Sequence, residues 1–196
     1  MRSDVIHVTN KGSGILDARA QAEKVGVFLE LTKKETLHLS LLTEEMMGMM
    51  LALTGQVEAD FWIESEDKKV SLHLKTQTLM NSEMRQKLLA ASSTGKNVAV
   101  KGIMGKIKDI FQRLIEPVDD NALPTFALAQ GMISDPGPIA SFGTAYWSLN
   151  QYKETVKTEV KKEWDELEKS IVSKLADEVQ IGIKNGQVEM IIIKSF

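Results

Sequence analysis

Hydrophobic positions change their period several times along the chain, and each change marks an element. Val5, Ile6 and Val8 give residues 4–9 the composition of a short strand, and Asn10-Lys11-Gly12-Ser13-Gly14 is a turn or loop signal. Helical spacing follows: Leu16, Ala20, Val27, Phe28 and Leu31 predict a helix over 15–31 with those residues as its apolar face. Thr32-Lys33-Lys34-Glu35 has the form of a capping box, in which each side chain satisfies the other residue's backbone N–H. A second helix is expected to start there. Its wide apolar side holds Leu37, Leu41, Leu42, Met46, Met49, Met50 and Leu53, and Gly55 ends it.

The period then drops to two. Val57, Ala59, Phe61 and Ile63 alternate with Glu58, Asp60, Trp62 and Glu64. After Ser65-Glu66-Asp67-Lys68, Val70, Leu72, Leu74 and Thr76 alternate with Ser71, His73 and Lys75. Alternation on both sides of a polar turn predicts an antiparallel hairpin with one buried face. Helical spacing returns twice: Asn81 caps a helix carrying Met84, Leu88 and Leu89, and Ile103, Ile107, Ile110, Phe111 and Leu114 mark another. Val156, Val160, Trp164, Leu167, Ile171 and Leu175 then give a long helix over 150–176 with a charged outer side. Val179, Ile181 and Ile183 lead through Asn185-Gly186 to Val188, Met190 and Ile192, a strong hairpin signal. Ile191 and Ile193 are apolar too, so the last strand is expected to be covered on both faces.

Segment 116–149 is different in kind. It holds all four prolines of the chain, together with Gly131, Gly137, Gly143, Phe126, Phe142, Tyr146 and Trp147. It reads as an insertion: either a lid or partner-docking arm, or a loop that covers the core and buries its own aromatics. At ~150 residues per domain, the 196 residues suggest one domain. The expected architecture is a single α/β (α+β) two-layer sandwich over 1–196. Its sheet is mixed and mostly antiparallel, with helices on one face and hairpins supplying the strand pairs.

Composition narrows the chemistry. There is no cysteine, which excludes disulfides, thiolate metal sites and a cysteine nucleophile. No apolar run reaches the ~18 residues that span a bilayer, and no secretory h-region follows Met1. A cytoplasmic protein without membrane contact is the expectation. A net charge of −3 also argues against nucleic acid as a partner. One window runs the other way: Lys96, Lys101, Lys106, Lys108 and Arg113 stand against Asp109 alone, among Gly95, Gly102 and Gly105. A helix N-terminus with glycines and lysines is suited to phosphate. The competing reading has Gly95 capping the previous helix while the lysines form a solvated face. His7, His38 and His73 have no metal-ligand spacing, and His73 falls on the polar, exposed alternation of its strand.

The element order resembles the GHKL ATP-binding fold of gyrase-type ATPases, histidine-kinase catalytic domains and anti-sigma-factor serine kinases. That family's second helix carries Glu and, four residues on, an Asn that ligates Mg²⁺. The matching stretch here is Leu41-Leu42-Thr43-Glu44-Glu45-Met46-Met47-Gly48-Met49-Met50. The resemblance makes Glu44 or Glu45 the catalytic base, but puts Gly48 or Met49 where the Mg²⁺ ligand belongs. The family's adenine-binding Asp-x-Gly-x-Gly has no counterpart in Leu72–Leu79, whereas Val100-Lys101-Gly102-Ile103-Met104-Gly105-Lys106-Ile107 looks like its glycine-rich phosphate segment. Residues 44–105 are also similar to a group of Gram-positive bacterial proteins described as ATP-binding through the same superfamily.

The resemblance thus implies ATP as cofactor, with Mg²⁺ in doubt, and Gly95, Lys96, Lys101, Gly102, Gly105 and Lys106 as the nucleotide-binding residues. The function it implies is regulatory, of anti-sigma-like kind, with a degenerate nucleotide site and another protein as partner. Two alternatives stay open: an active serine kinase or ATPase using Glu44 or Glu45 with Lys96, and a partner-binding domain that takes no nucleotide. Met46, Met47, Met49 and Met50 could line a pliable groove or simply fill the core. The long helix offers a homodimer seam through Val156, Val160, Trp164, Leu167 and Ile171, or a face that packs on the sheet.

Overall fold

A computed structural model describes residues 1–9, 14–54, 58–77, 145–151, 153–154, 171–184 and 187–196. Its elements are β1 (Ile6–Thr9), α1 (Gly14–Phe28), α2 (Lys33–Thr54), β2 (Glu58–Glu66), β3 (Lys69–Gln77), β4 (Ala145–Ser148), α3 (Ile171–Leu175), β5 (Glu178–Lys184) and β6 (Gln187–Ser195). The strands form one six-stranded sheet in the order β1-β2-β3-β6-β5-β4. Every pairing in it is antiparallel, so the expected mixed sheet is corrected to an antiparallel one among the described residues. The fold is α+β.

Both expected hairpins form. The β2–β3 register runs from Ala59↔Thr76 to Glu66↔Lys69, so the four-residue turn expected at 65–68 is shortened to Asp67 and Lys68. Asp67 takes a φ of 51°, and aspartate tolerates this left-handed region better than most residues. In β5–β6 the register closes at Lys184↔Gln187, leaving Asn185 and Gly186 between the strands.

Alternation sorts the sheet into two faces. One face carries Val8, Ala59, Phe61, Ile63, Leu72, Leu74, Val188, Met190, Ile192, Val179 and Ile181, all buried in the main core. α1 lies against β1 and β2, and α2 against β6 and α3. Met46, Met47, Met49 and Met50 belong to this core, so packing accounts for all four.

The link between α1 and α2 is set by local chemistry. Leu31 N donates to Gly26 O at 2.9 Å and Glu30 N to Val27 O at 3.1 Å, with Glu30 at a φ of 53°. This is a Schellman motif, a left-handed helix ending, with Glu30 where glycine is usual. The capping box follows as expected: Thr32 N donates to Glu35 Oε2 at 2.7 Å, and Glu35 N to Thr32 Oγ1 at 3.3 Å. Hydrogen bonding from Thr32 holds the Glu35 carboxyl below its usual range.

Two expectations about α1 and the insertion are corrected. The buried residues of α1 are Gly14, Ala18, Ala22, Val25 and Gly26. Leu16, Val27 and Phe28, expected to face the core, are 66%, 76% and 68% exposed. In α2, Leu37 is likewise exposed while Leu39 is fully buried. The end of the expected insertion is a sheet strand: β4 pairs with β5 through Trp147↔Ile181, and Trp147 enters the core. Ser148 stops this strand and caps the next helix. Gln151 N donates to Ser148 Oγ at 3.3 Å, and Glu178 accepts from Ser148 Oγ and Asn150 N at 3.0 and 3.2 Å. Helical backbone thus begins at Leu149, one residue before the start expected for the long helix, and residues 155–170 of that helix lie outside the described residues. The helices expected around Met84 and Ile103, the rest of segment 116–144, and Val156, Val160, Trp164 and Leu167 lie outside the described residues.

Asp177 closes the C-terminal hairpin. Lys194 Nζ and Ser195 N donate to its carboxylate at 2.8 and 2.7 Å. Burial pushes the Asp177 carboxyl up, but the bonds from Lys194 and Ser195 outweigh it, so its pKa lies below the ordinary 3.8. A depressed carboxyl stabilises the fold above its unfolded-state pKa and loses that contribution as pH falls through the folded-state value. With the side chain 42% exposed, screening reduces the gain, and Asp177→Asn is expected to cost about 1 kcal/mol at neutral pH. Urea denaturation from pH 7 downward should show wild type and variant converging below about pH 4. A gap independent of pH would mean that the charge is not what stabilises.

Candidate functional site

The residues singled out by sequence lie on α2 and in segment 95–106. Gly95, Lys96, Lys101, Gly102, Gly105 and Lys106 fall outside the described residues. On α2, Leu39, Leu42, Met46 and Met50 face the core, and Thr43 is buried with its Oγ1 donating to Leu39 O at 2.9 Å. That orientation leaves Leu37, Glu44, Gly48 and Leu51 along the outer side. Glu44 is engaged there: Arg19 Nη1 of α1 donates to its Oε1 at 2.9 Å, and Arg19 Nε also reaches Glu23 at 3.3 Å. Glu45, one residue on, is half-buried.

The positions four residues beyond differ in kind. Gly48 is exposed, and a Cβ built on it would meet nothing within 4 Å. Met49 is a core residue, 6% exposed. Glu44 and Gly48 therefore share an open surface one helical turn apart, while Glu45 is followed by a residue committed to packing.

The other face of the sheet carries a second cluster, which the sequence reading missed. The register aligns Trp62, His73, Ile191, Gln180 and Ser148 in one row across five strands. All five are buried, with Ile191 only 2% exposed. The expected cover on both faces of β6 is therefore found at Ile191. The expected exposure of His73 is corrected, because its side chain is only 10% exposed.

His73 stacks on Trp62 with centroids 4.8 Å apart and planes 9° from parallel. The Arg2 guanidinium lies over the same Trp62 ring at 5.1 Å. Two carboxylates flank the imidazole. Nδ1 lies 3.5 Å from Oε1 of buried Glu189, and Nε2 lies 3.7 Å from Oε2 of Glu64, too far for a hydrogen bond. Glu64 also accepts from Trp62 Nε1 at 3.0 Å and faces Arg2 at 3.6 Å. His73 Nε2 and Gln180 Oε1 are buried without a hydrogen-bond partner. The imidazole thus stands between two carboxylates, and the stack on Trp62 fixes its plane. The signal available in the sequence was Ile191: the register sets it beside His73, so its cover extends to the histidine.

No group of three or more His, Asp or Glu among the described residues could hold a metal ion. No described helix is long and apolar enough to cross a membrane. No family model, curated protein or solved structure matches the chain.

Proposed function

We propose that the chain is a regulatory protein of anti-sigma-like kind on a GHKL-like framework. Its nucleotide site is degenerate, and it acts by binding another protein. The order of strand, two helices and hairpin, closed by a C-terminal hairpin, supports the framework. The observation that carries the functional reading is the outer side of α2. Glu44 is paired with Arg19, and Gly48 offers no ligand for a metal beside it. Phosphoryl transfer depends on positioning and on metal-assisted neutralisation of charge. A surface with an engaged carboxylate and no metal ligand favours binding over turnover.

Thermal melting with ATP tests this reading, since a ligand selective for the native state raises its stability. ATP at about ten times its Kd is expected to raise Tm by a few degrees, and the shift should survive EDTA. Gly48→Asn fits the open space at that position and is expected to make the shift depend on Mg²⁺. No shift at millimolar ATP overturns nucleotide binding. Multiple-turnover hydrolysis that falls on Glu44→Ala or Glu45→Ala establishes the kinase or ATPase alternative instead.

A further inference from the structure

One face of β2 carries a track that core packing does not explain. Alternation sets Glu58, Asp60, Trp62, Glu64 and Glu66 on the same face, so four carboxylates flank one indole. Glu58, Asp60 and Glu66 are exposed and Glu64 is half-buried. His7 approaches Asp60 at 3.2 Å and Arg2 approaches Glu64 at 3.6 Å, while the register sets Lys75 opposite Asp60 and Lys69 opposite Glu66. Glu58 and Glu66 form no ion pair among the described residues.

The centre of the track already holds a guanidinium. Continued towards the N-terminus, the β1–β2 register would set Ser3 opposite Glu64, yet Arg2 stands there, one residue out of step. This is a β-bulge, which re-aims a side chain. Ser3 closes it: its N donates to Ile63 O at 2.8 Å, and its Oγ accepts from Ile63 N at 2.9 Å. Arg2 is thereby laid over the Trp62 ring, but loosely. Its side chain is 59% exposed, its guanidinium lies 5.1 Å from the ring centroid, and Glu64 at 3.6 Å is beyond hydrogen-bond range. The surface beneath it is firm. Trp62 Nε1 donates to Glu64 Oε1 at 3.0 Å, and His73 stacks behind the indole. His73 is only 8% exposed, and its unpartnered Nε2 faces Glu64 Oε2 at 3.7 Å. An indole face with a fixed carboxylate at its edge suits the planar guanidinium of arginine better than the compact ammonium of lysine.

We propose that this track binds an extended, arginine-bearing segment of a partner protein. One of its guanidinium groups replaces Arg2 on Trp62, and the flanking carboxylates take its neighbours. In an extended segment, arginines at every second position recur at roughly 7 Å, the spacing of the acidic side chains along β2. Arg2 is then a built-in competitor. The bulge seats the same chemical group that the partner brings, through an exposed cation–π contact and a surface ion pair, both weak enough to exchange. The proposal concerns β2 and is independent of the nucleotide reading of α2.

Fluorescence anisotropy of a labelled peptide, Gly-Arg-Ser-Arg-Ser-Arg-Gly, tests it on the full chain. The peptide should bind with a sub-millimolar dissociation constant, and its all-lysine counterpart at least ~3-fold more weakly. Arg2→Ala removes the competitor and should tighten binding by ~5-fold or more. Lys68→Ala removes the same charge from the neighbouring turn and should tighten it by less than ~2-fold, because a charge away from the ring acts only through a screened field. Glu64→Gln keeps an acceptor for Trp62 Nε1 and should weaken binding by ~5-fold or more. Equal affinity for the lysine peptide overturns the proposal, as does an Arg2→Ala effect no larger than that of Lys68→Ala. So does indifference to Glu64→Gln, or no binding at millimolar peptide.

Discussion

Replacing Ala22 by Leu is expected to destabilise the fold by about 3 kcal/mol, whereas Leu16→Ser should change stability by less than about 0.5 kcal/mol. Ala22 is fully buried on the face that α1 turns towards the core. That face works because its residues are small. A Cβ added at Gly26 would sit 2.8 Å from the Thr36 side chain, and one at Gly14 would sit 2.6 Å from the Thr9 backbone nitrogen. With the helix held this close, a leucine at 22 forces either an off-rotamer side chain or a displaced helix. Leu16 points to solvent, so its loss removes little buried area. Equilibrium urea denaturation measures both costs. A larger cost for Leu16→Ser than for Ala22→Leu would mean that α1 is rotated by half a turn.

The same residues explain why the sequence misled at α1. A face is assigned by where large apolar residues recur, and Leu16, Val27 and Phe28 recur at helical spacing. Ala18, Ala22 and Gly26 recur at the same spacing on the opposite side, but small residues give almost no signal although they permit the closest packing. α2 suffered less, since its core positions are Leu and Met. The hairpins were legible throughout, because a two-residue period with a polar turn admits one register that buries Phe61, Ile63, Leu72 and Leu74 together. β4 was hidden by its neighbours. Ala145-Tyr146-Trp147-Ser148 is too short to show alternation after a stretch rich in proline and glycine, and only pairing with β5 defines it.

At the candidate sites the sequence supplied residues and the fold supplied their company. Nothing in the order of residues links Arg19 to Glu44; the antiparallel packing of α1 on α2 does. His73 and Glu189 are 116 residues apart and meet through the pairing of β3 with β6. That pairing is non-local, and no local pattern specifies it.

The His73 cluster carries the second large expected effect. His73→Leu should cost about 2 kcal/mol, since it removes the stack on Trp62 and leaves the buried Glu189 carboxylate without its nearest flanking imidazole. The register sets Lys75 directly opposite Glu189, which moderates that cost. Glu189→Leu removes the same pairing from the other side, and should cost a similar amount by leaving His73 with only the more distant Glu64. The double variant should cost less than the sum by about 1–2 kcal/mol, because neither residue then leaves a buried polar partner behind. Four denaturation curves close this cycle. Strict additivity would mean that the 3.5 Å approach of imidazole and carboxylate couples them no more than two separate surface groups. Such coupling would add to the pairing of two strands far apart in sequence, beside the buried apolar pairs Leu72↔Ile192 and Leu74↔Met190 that already set their register.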